Sequence, residues 1–216
     1  MKVMTKIDFA IIGVQKSATS TLQECLKKHP SVFLPEGEQA CFETPDFEKG
    51  RTKDQLAFLE ERNNALKGIK RPNILHEPIA LYRLKHHSPE VKIIVVLRDP
   101  VERFVSAYFH AMRYSSIPVM EINIAVKRMF FGDYLGRFPK SQGLLLYGLY
   151  HPYLETISKC YNPEDLVVLS HYEMKKNTQK SLHIVTSFLG VEKIEVSPGS
   201  DKNVGHYSYT LARVNK

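Results

Sequence analysis

The run Ile93-Ile94-Val95-Val96-Leu97 is aliphatic on both faces of an extended chain. Such a segment has to be covered above and below, which is the position of a central strand in a parallel sheet. The residues after it set the topology. Asp99-Pro100 offers an N-cap and a first-turn proline, and Val101, Phe104, Val105, Tyr108 and Met112 form the apolar stripe of a helix. The chain opens in the same way: a strand from Ile7 to Ile12, a loop from Gly13, then Leu22, Cys25 and Leu26 at helical spacing until His29-Pro30. Further along, the pattern predicts a short strand at Ser31-Val32-Phe33-Leu34 and a charged amphipathic helix between Lys53 and Lys67, carrying Leu56, Leu59 and Leu66. It also predicts a third strand at Asn73-Ile74-Leu75-His76, helices over Glu121–Phe131 and Leu144–Cys160, a strand at Leu166–Leu169, and a helix from Thr178 to Leu189 closed by Gly190. Alternating strands and helices predict an α/β fold with a central, mostly parallel β-sheet flanked by helices in three layers.

Composition narrows the partners. With 216 residues, 43% hydrophobic and 25% charged, the chain can bury one sizeable core and reads as a single domain over residues 1–216. Thirty Lys and Arg against twenty-three Asp and Glu leave a formal charge of +7. That excess favours an anionic partner: nucleic acid, an acidic membrane surface, or a phosphorylated or sulfated small molecule. The longest aliphatic runs are about five residues, against the roughly 20 that a membrane span requires. Met1 to Lys6 leads straight into the first strand without a separate apolar leader, so a cytoplasmic location is expected. Cys25, Cys41 and Cys160 are widely spaced with no CxxC, which disfavours a disulfide framework or a zinc site.

The first loop, Gly13-Val14-Gln15-Lys16-Ser17-Ala18-Thr19-Ser20-Thr21, packs a lysine and four hydroxyl residues into the start of a helix. Helix starts concentrate unpaired N–H groups and the positive end of the dipole, so this loop is suited to an anion. It is not a Walker A loop, because it has no Gly-Lys pair. At the end of the central strand stands Arg98, with Ser106 eight residues later and off the apolar stripe of its helix. That edge of an open α/β sheet is where ligands bind, and Arg98 can grip a phosphate with two hydrogen bonds.

Taken together, Ile11 to Leu22 resembles the 5′-phosphosulfate loop of sulfotransferases that use 3′-phosphoadenosine 5′-phosphosulfate (PAPS), and Leu97 to Tyr108 resembles their 3′-phosphate motif. Gly148-Leu149-Tyr150, Tyr172-Glu173-Met174 and Phe188-Leu189-Gly190 extend the similarity to the second half of the carbohydrate sulfotransferase domain, so that it runs from residue 7 to residue 207. The resemblance implies a P-loop-like fold and transfer of a sulfuryl group from PAPS, leaving PAP, to a hydroxyl-bearing acceptor, carbohydrate or small molecule. No metal and no nucleic acid are expected. Lys16, Ser17, Ala18, Thr19, Ser20 and Thr21 would hold the 5′-phosphosulfate, Arg98 and Ser106 the 3′-phosphate, and Lys202 and Asn203 would belong to a closing loop near the cofactor. Ala18 stands where many relatives have glycine.

A base is also implied. Glu38-Gln39-Ala40-Cys41-Phe42 resembles the segment in which the heparan-sulfate branch carries its catalytic glutamate, with Cys41 replacing an aromatic residue. Glu38 is the candidate, Lys16 the partner of the departing oxygen, and Glu36 and Glu43 are neighbours that could be mistaken for the base. His29, His76 and Glu77 are fallbacks. Where that branch has Glu-Lys-Thr/Ser-Pro, this chain shows His76-Glu77-Pro78 and lacks the lysine. Two other classes fit part of the pattern: a P-loop kinase, which would need a Gly-Lys-Ser/Thr and an acid at a strand end, and a basic binding module for nucleic acid or anionic glycan. The module reading would rest on Lys127, Arg128, Phe130, Phe131, Tyr134, Arg137 and Lys140.

Overall fold

The computed structural model describes residues 6–44, 47–50, 52, 56–59 and 65–196. Its strands are β1 (Phe9–Gly13), β2 (Val32–Phe33), β3 (Leu66–Lys70), β4 (Lys92–Leu97) and β5 (Leu166–Ser170). They form one sheet in the order β2-β3-β1-β4-β5, and every pair is parallel. The helices are α1 (Thr19–Leu26), α2 (Pro78–His87), α3 (Pro100–Arg113), α4 (Ile122–Phe131), α5 (Tyr134–Arg137), α6 (Gln142–Leu146), α7 (Tyr150–Cys160), α8 (His171–Lys176) and α9 (Thr178–Leu189). None of the described helices is long and apolar enough to cross a membrane.

The two faces of the central strands divide as the period of two requires. Phe9, Ile11, Ile94 and Val96 pack with Leu22 and Leu26 of α1 and Leu182 and Val185 of α9. Ala10, Ile12, Ile93 and Val95 pack with Leu81 and Leu84 of α2 and Ile157 of α7. A third cluster, including Tyr108, Met129, Tyr134 and Leu144, holds α3 to α4, α5 and α6. Capping agrees with the sequence: the Asp99 carboxylate accepts from the N–H groups of Val101 and Glu102 at 3.0 and 2.9 Å, and Gly190 ends α9 at φ 78°.

Strand order sets the site. The neighbours of β1 lie on opposite sides, β3 to one and β4 to the other, which opens a crevice at the carboxyl ends of the strands. There the Val14 N–H donates to the Val96 carbonyl at 2.9 Å, so the first loop leaves the sheet beside Arg98. The Arg71 N–H donates to the Ile11 carbonyl at 2.9 Å, and the Gln39 N–H to the Lys70 carbonyl at 3.1 Å. Four segments distant in sequence thus meet at one edge.

The structure corrects three expectations. The third strand is Leu66–Lys70, not Asn73–His76, which forms a 3₁₀ turn over Ile74–His76. Leu66 and Lys67 therefore belong to the sheet and not to a helix reaching Lys67. Parallel pairing of Phe9 with Gly68 overrides the leucine spacing, since only a glycine leaves room for the Phe9 ring there. The segment 144–160 is two helices, α6 and α7, parted at Tyr147–Leu149, where Gly148 lies close to Pro100 and Arg103. Helices α2, α5 and α8 add to those that the sequence pattern predicts.

Candidate active site

The loop between β1 and α1 is built for an anion. Lys16 and Ala18 both take left-handed backbone conformations, at φ 72° and 61°, an alternation that turns successive amides toward one centre. Ala18 occupies the N-cap position of α1, and no side chain there accepts a hydrogen bond, so the first-turn amides stay open. Ser17 is fully buried and its Oγ has no hydrogen-bond partner among the described residues. A buried orphan hydroxyl, open amides and a lysine suit the phosphosulfate end of PAPS.

Arg98 joins the two motifs. Its Nη1 donates to the Lys16 carbonyl at 3.0 Å and its Nε to Glu102 at 3.2 Å, while the Tyr150 hydroxyl donates to the Arg98 carbonyl at 2.7 Å. Ser106, half-buried, shares a face of α3 with His110 and Arg113 at i, i+4 and i+7. His110 Nδ1 lies 3.3 Å from Lys16 Nζ. Burial lowers the Lys16 pKa, with Arg98 and Arg113 adding to the effect and Glu38 opposing it. Burial likewise lowers the pKa of His110, followed by the charges of Lys16 and Arg113.

Glu38 faces this cationic edge from the segment after β2. Its Oε1 lies 3.5 Å from Lys70 Nζ and its Oε2 accepts from Arg71 Nη1 at 2.9 Å. Lys70, at 4% exposure, also donates to the Ser20 hydroxyl at 3.0 Å and so links Glu38 to the first loop. Arg71 is shared: it donates to the buried Glu43 carboxylate through Nε and Nη2 as well, and that pairing raises its own pKa. The fixed carboxylate is oriented by two cations on separate oxygens, which leaves its remaining lone pairs for an incoming O–H.

The neighbouring candidates are occupied elsewhere. Glu36 pairs with Lys27, and Glu43 is held by Arg71. His29 is tied at both nitrogens, accepting from the Ser31 N–H at 3.0 Å and meeting the Glu192 carbonyl at 2.8 Å. His76 stacks on Tyr147 with ring centroids 3.8 Å apart, and burial holds its pKa down at about 4. Glu77 precedes α2, and burial raises its pKa. Lys202 and Asn203 lie outside the described residues.

Sequence reasoning missed Lys70, Arg71 and His110. Lys70 and Arg71, at the end of β3, are hidden because Leu66 seems to continue a helix. The signal for His110 is its spacing of four from Ser106. Of the basic and aromatic set, Phe131 is 90% exposed but Tyr134 is buried in the third cluster, and Arg137 pairs with Asp133 at 2.7 Å, so the set does not form one continuous face.

The structure resembles a sulfotransferase from Alicyclobacillus acidocaldarius with a TM-score of 0.73 at 23% identity, covering 89% of this chain and 87% of that one. It also resembles mouse sulfotransferase SULT7A1, solved in complex with PAP, with a TM-score of 0.56 at 20% identity over 87% of this chain and 60% of that one. Human heparan sulfate glucosamine 3-O-sulfotransferase 3B1 is 26% identical over 185 residues, 85% of this chain and 46% of the relative, so the chain spans a little under half of that protein. The family model of the sulfotransferase domain matches residues 6–213, and the chain belongs to that family.

Proposed function

We propose that this protein moves a sulfuryl group from PAPS to the hydroxyl of a carbohydrate or small-molecule acceptor, within one domain. The observation that carries this reading is the meeting of two anion-binding elements, the open start of α1 and Arg98 at the end of β4, with an oriented carboxylate, Glu38, across the same edge. PAPS supplies the electrophilic sulfur and a phosphate leaving group. Residues Ser17 to Thr21 hold the phosphosulfate end through amides and hydroxyls, and Arg98 with Ser106 holds the 3′-phosphate. Glu38 accepts the proton of the acceptor hydroxyl as that oxygen attacks. Lys16 donates to the oxygen on which charge develops. The similarity to a heparan sulfate enzyme and the cationic surroundings of Glu38 support an acceptor that itself carries negative charge. The kinase and binding-module alternatives are not favoured by the family.

The test is transfer of labelled sulfate from PAPS to a panel of hydroxyl acceptors, beside a binding comparison of PAP with ATP and Mg²⁺. Transfer together with preferential PAP binding is expected. Preference for ATP with Mg²⁺, or binding of neither nucleotide, would overturn the reading.

A further inference from the structure

Lys16 has an unusual partner. Among the described residues no carboxylate lies within salt-bridge distance of its ammonium, and its one hydrogen-bond partner is the His110 ring. A lysine has no acceptor, so the contact at 3.3 Å requires a lone pair on His110 Nδ1, with the proton on Nε2. His110 is therefore neutral while it holds Lys16. The choice of partner matters physically. A carboxylate in this place would cancel the lysine charge and compete with an incoming anion, whereas a neutral imidazole satisfies the donor and leaves the charge intact. The charged groups around His110 are Lys16 from the first loop, Arg113 from its own helix and Glu38 from the segment after β2, with the Tyr114 ring 4.6 Å away. Two of the three charges are positive, and both oppose protonation of the ring.

Arrival of an anion changes that balance. When Lys16 turns its hydrogen bond to a phosphate or sulfate oxygen, Nδ1 of His110 is released and the positive field on the ring is offset by the ligand. From this geometry we infer that His110 is a positioning residue that exchanges Lys16 for a proton: it holds the lysine in the free protein and takes up a proton from solvent when the anionic end of the cofactor binds. This rests on the proposed role of Lys16 in cofactor binding. Proton uptake means that cofactor affinity falls as pH rises between the free and bound pKa of His110, by up to about tenfold per pH unit. Expressed as an activity, kcat/KM reports the free protein and kcat the complex, so the two profiles should differ in their His110-dependent limb.

The experiment is calorimetric titration of the whole chain with PAP near pH 7 in two buffers of different ionisation enthalpy, in the wild type and in His110→Asn. Asparagine keeps an acceptor oxygen near the place of Nδ1 but cannot titrate. The wild type should take up more protons than the variant, and comparing the two removes the contribution of the ligand's own phosphates. Equal uptake overturns the inference while leaving the sulfotransferase reading intact; failure of the wild type to bind PAP overturns both. An NMR titration of the His110 ring supplies a second measurement should the variant not fold. Its pKa should rise on saturation with PAP, and in the free protein should be higher in Lys16→Met than in the wild type. An unchanged ring pKa in either comparison refutes the exchange.

Discussion

Arg98 and Glu38 sit on different sides of the proposed chemistry, and their variants should separate it. Arg98→Ala is expected to weaken PAP binding by about 2–4 kcal/mol, because it deletes a charge-assisted phosphate contact in a half-buried crevice. Binding of adenosine 5′-phosphosulfate, which lacks the 3′-phosphate, should change little; equal losses for both ligands, read by calorimetry, would refute the assignment. Glu38→Gln preserves the size of the side chain but not its ability to take a proton. Turnover should fall by about 10²–10⁴ with PAP affinity nearly unchanged. Near-normal turnover, measured where the chemical step limits the rate, would move the base elsewhere. Lys16→Ala should damage both binding and turnover. Lys16 and Arg98 are legible in the sequence because chemistry dictates their type, a phosphate calling for a lysine or arginine at a helix start or strand end, whereas Glu38 is singled out from Glu36 and Glu43 only by the family resemblance. Lys70 is not, since in the basic stretch Lys67-Gly68-Ile69-Lys70-Arg71 one lysine looks like its solvated neighbours until the fold brings Ser20 and Glu38 to its ammonium at 3.0 and 3.5 Å.

At the level of elements, the 3₁₀ turn over Ile74–His76 explains two sensitivities. A Cβ placed on Gly13 would come within 2.7 Å of Leu75 Cδ2 and 2.9 Å of its Cβ, so the loop can leave β1 only through a glycine. Gly13→Ala should cost about 1–3 kcal/mol in urea unfolding, the usual cost of overpacking, and Leu75→Ala on the same background should recover part of it. An unchanged midpoint in the single variant would contradict the packing. One residue on, His76 is buried neutral against Tyr147, with a folded pKa of about 4 against an ordinary 6.5. The unfolded chain therefore binds a proton that the folded chain refuses. This contribution to stability is complete above pH 6.5 and is lost as pH falls toward 4, by about 3 kcal/mol. Urea unfolding at pH 7 and pH 4.5 should show a smaller difference for His76→Phe than for the wild type. In the sequence this turn passes for a strand because Ile74 and Leu75 are apolar neighbours, and a short apolar run carries no period. By contrast β4 spans Lys92–Leu97 as expected, since a run apolar on both faces has few other homes.

For the whole molecule, a ligand that binds only the folded chain adds to its stability. PAP at one hundred times its Kd should contribute about 2.7 kcal/mol and raise Tm by several degrees, and ATP with Mg²⁺ should not match it. A thermal-shift comparison of the two nucleotides checks this, and an equal or larger shift with ATP would count against the proposed function. The order β2-β3-β1-β4-β5 has a further consequence, which concerns time. β1 is the earliest of the described strands and the middle one of the sheet, and its partners in β3 and β4 are made about 60 and 80 residues later. At the usual pace of synthesis of about 5–20 residues per second, both edges of β1 wait several seconds for their partner strands, although α1, made soon after it, can cover the face of Phe9 and Ile11. Among the described strands the centre of the sheet is thus the one that waits longest with unpaired edges, and the yield of folded protein depends on how that interval is bridged.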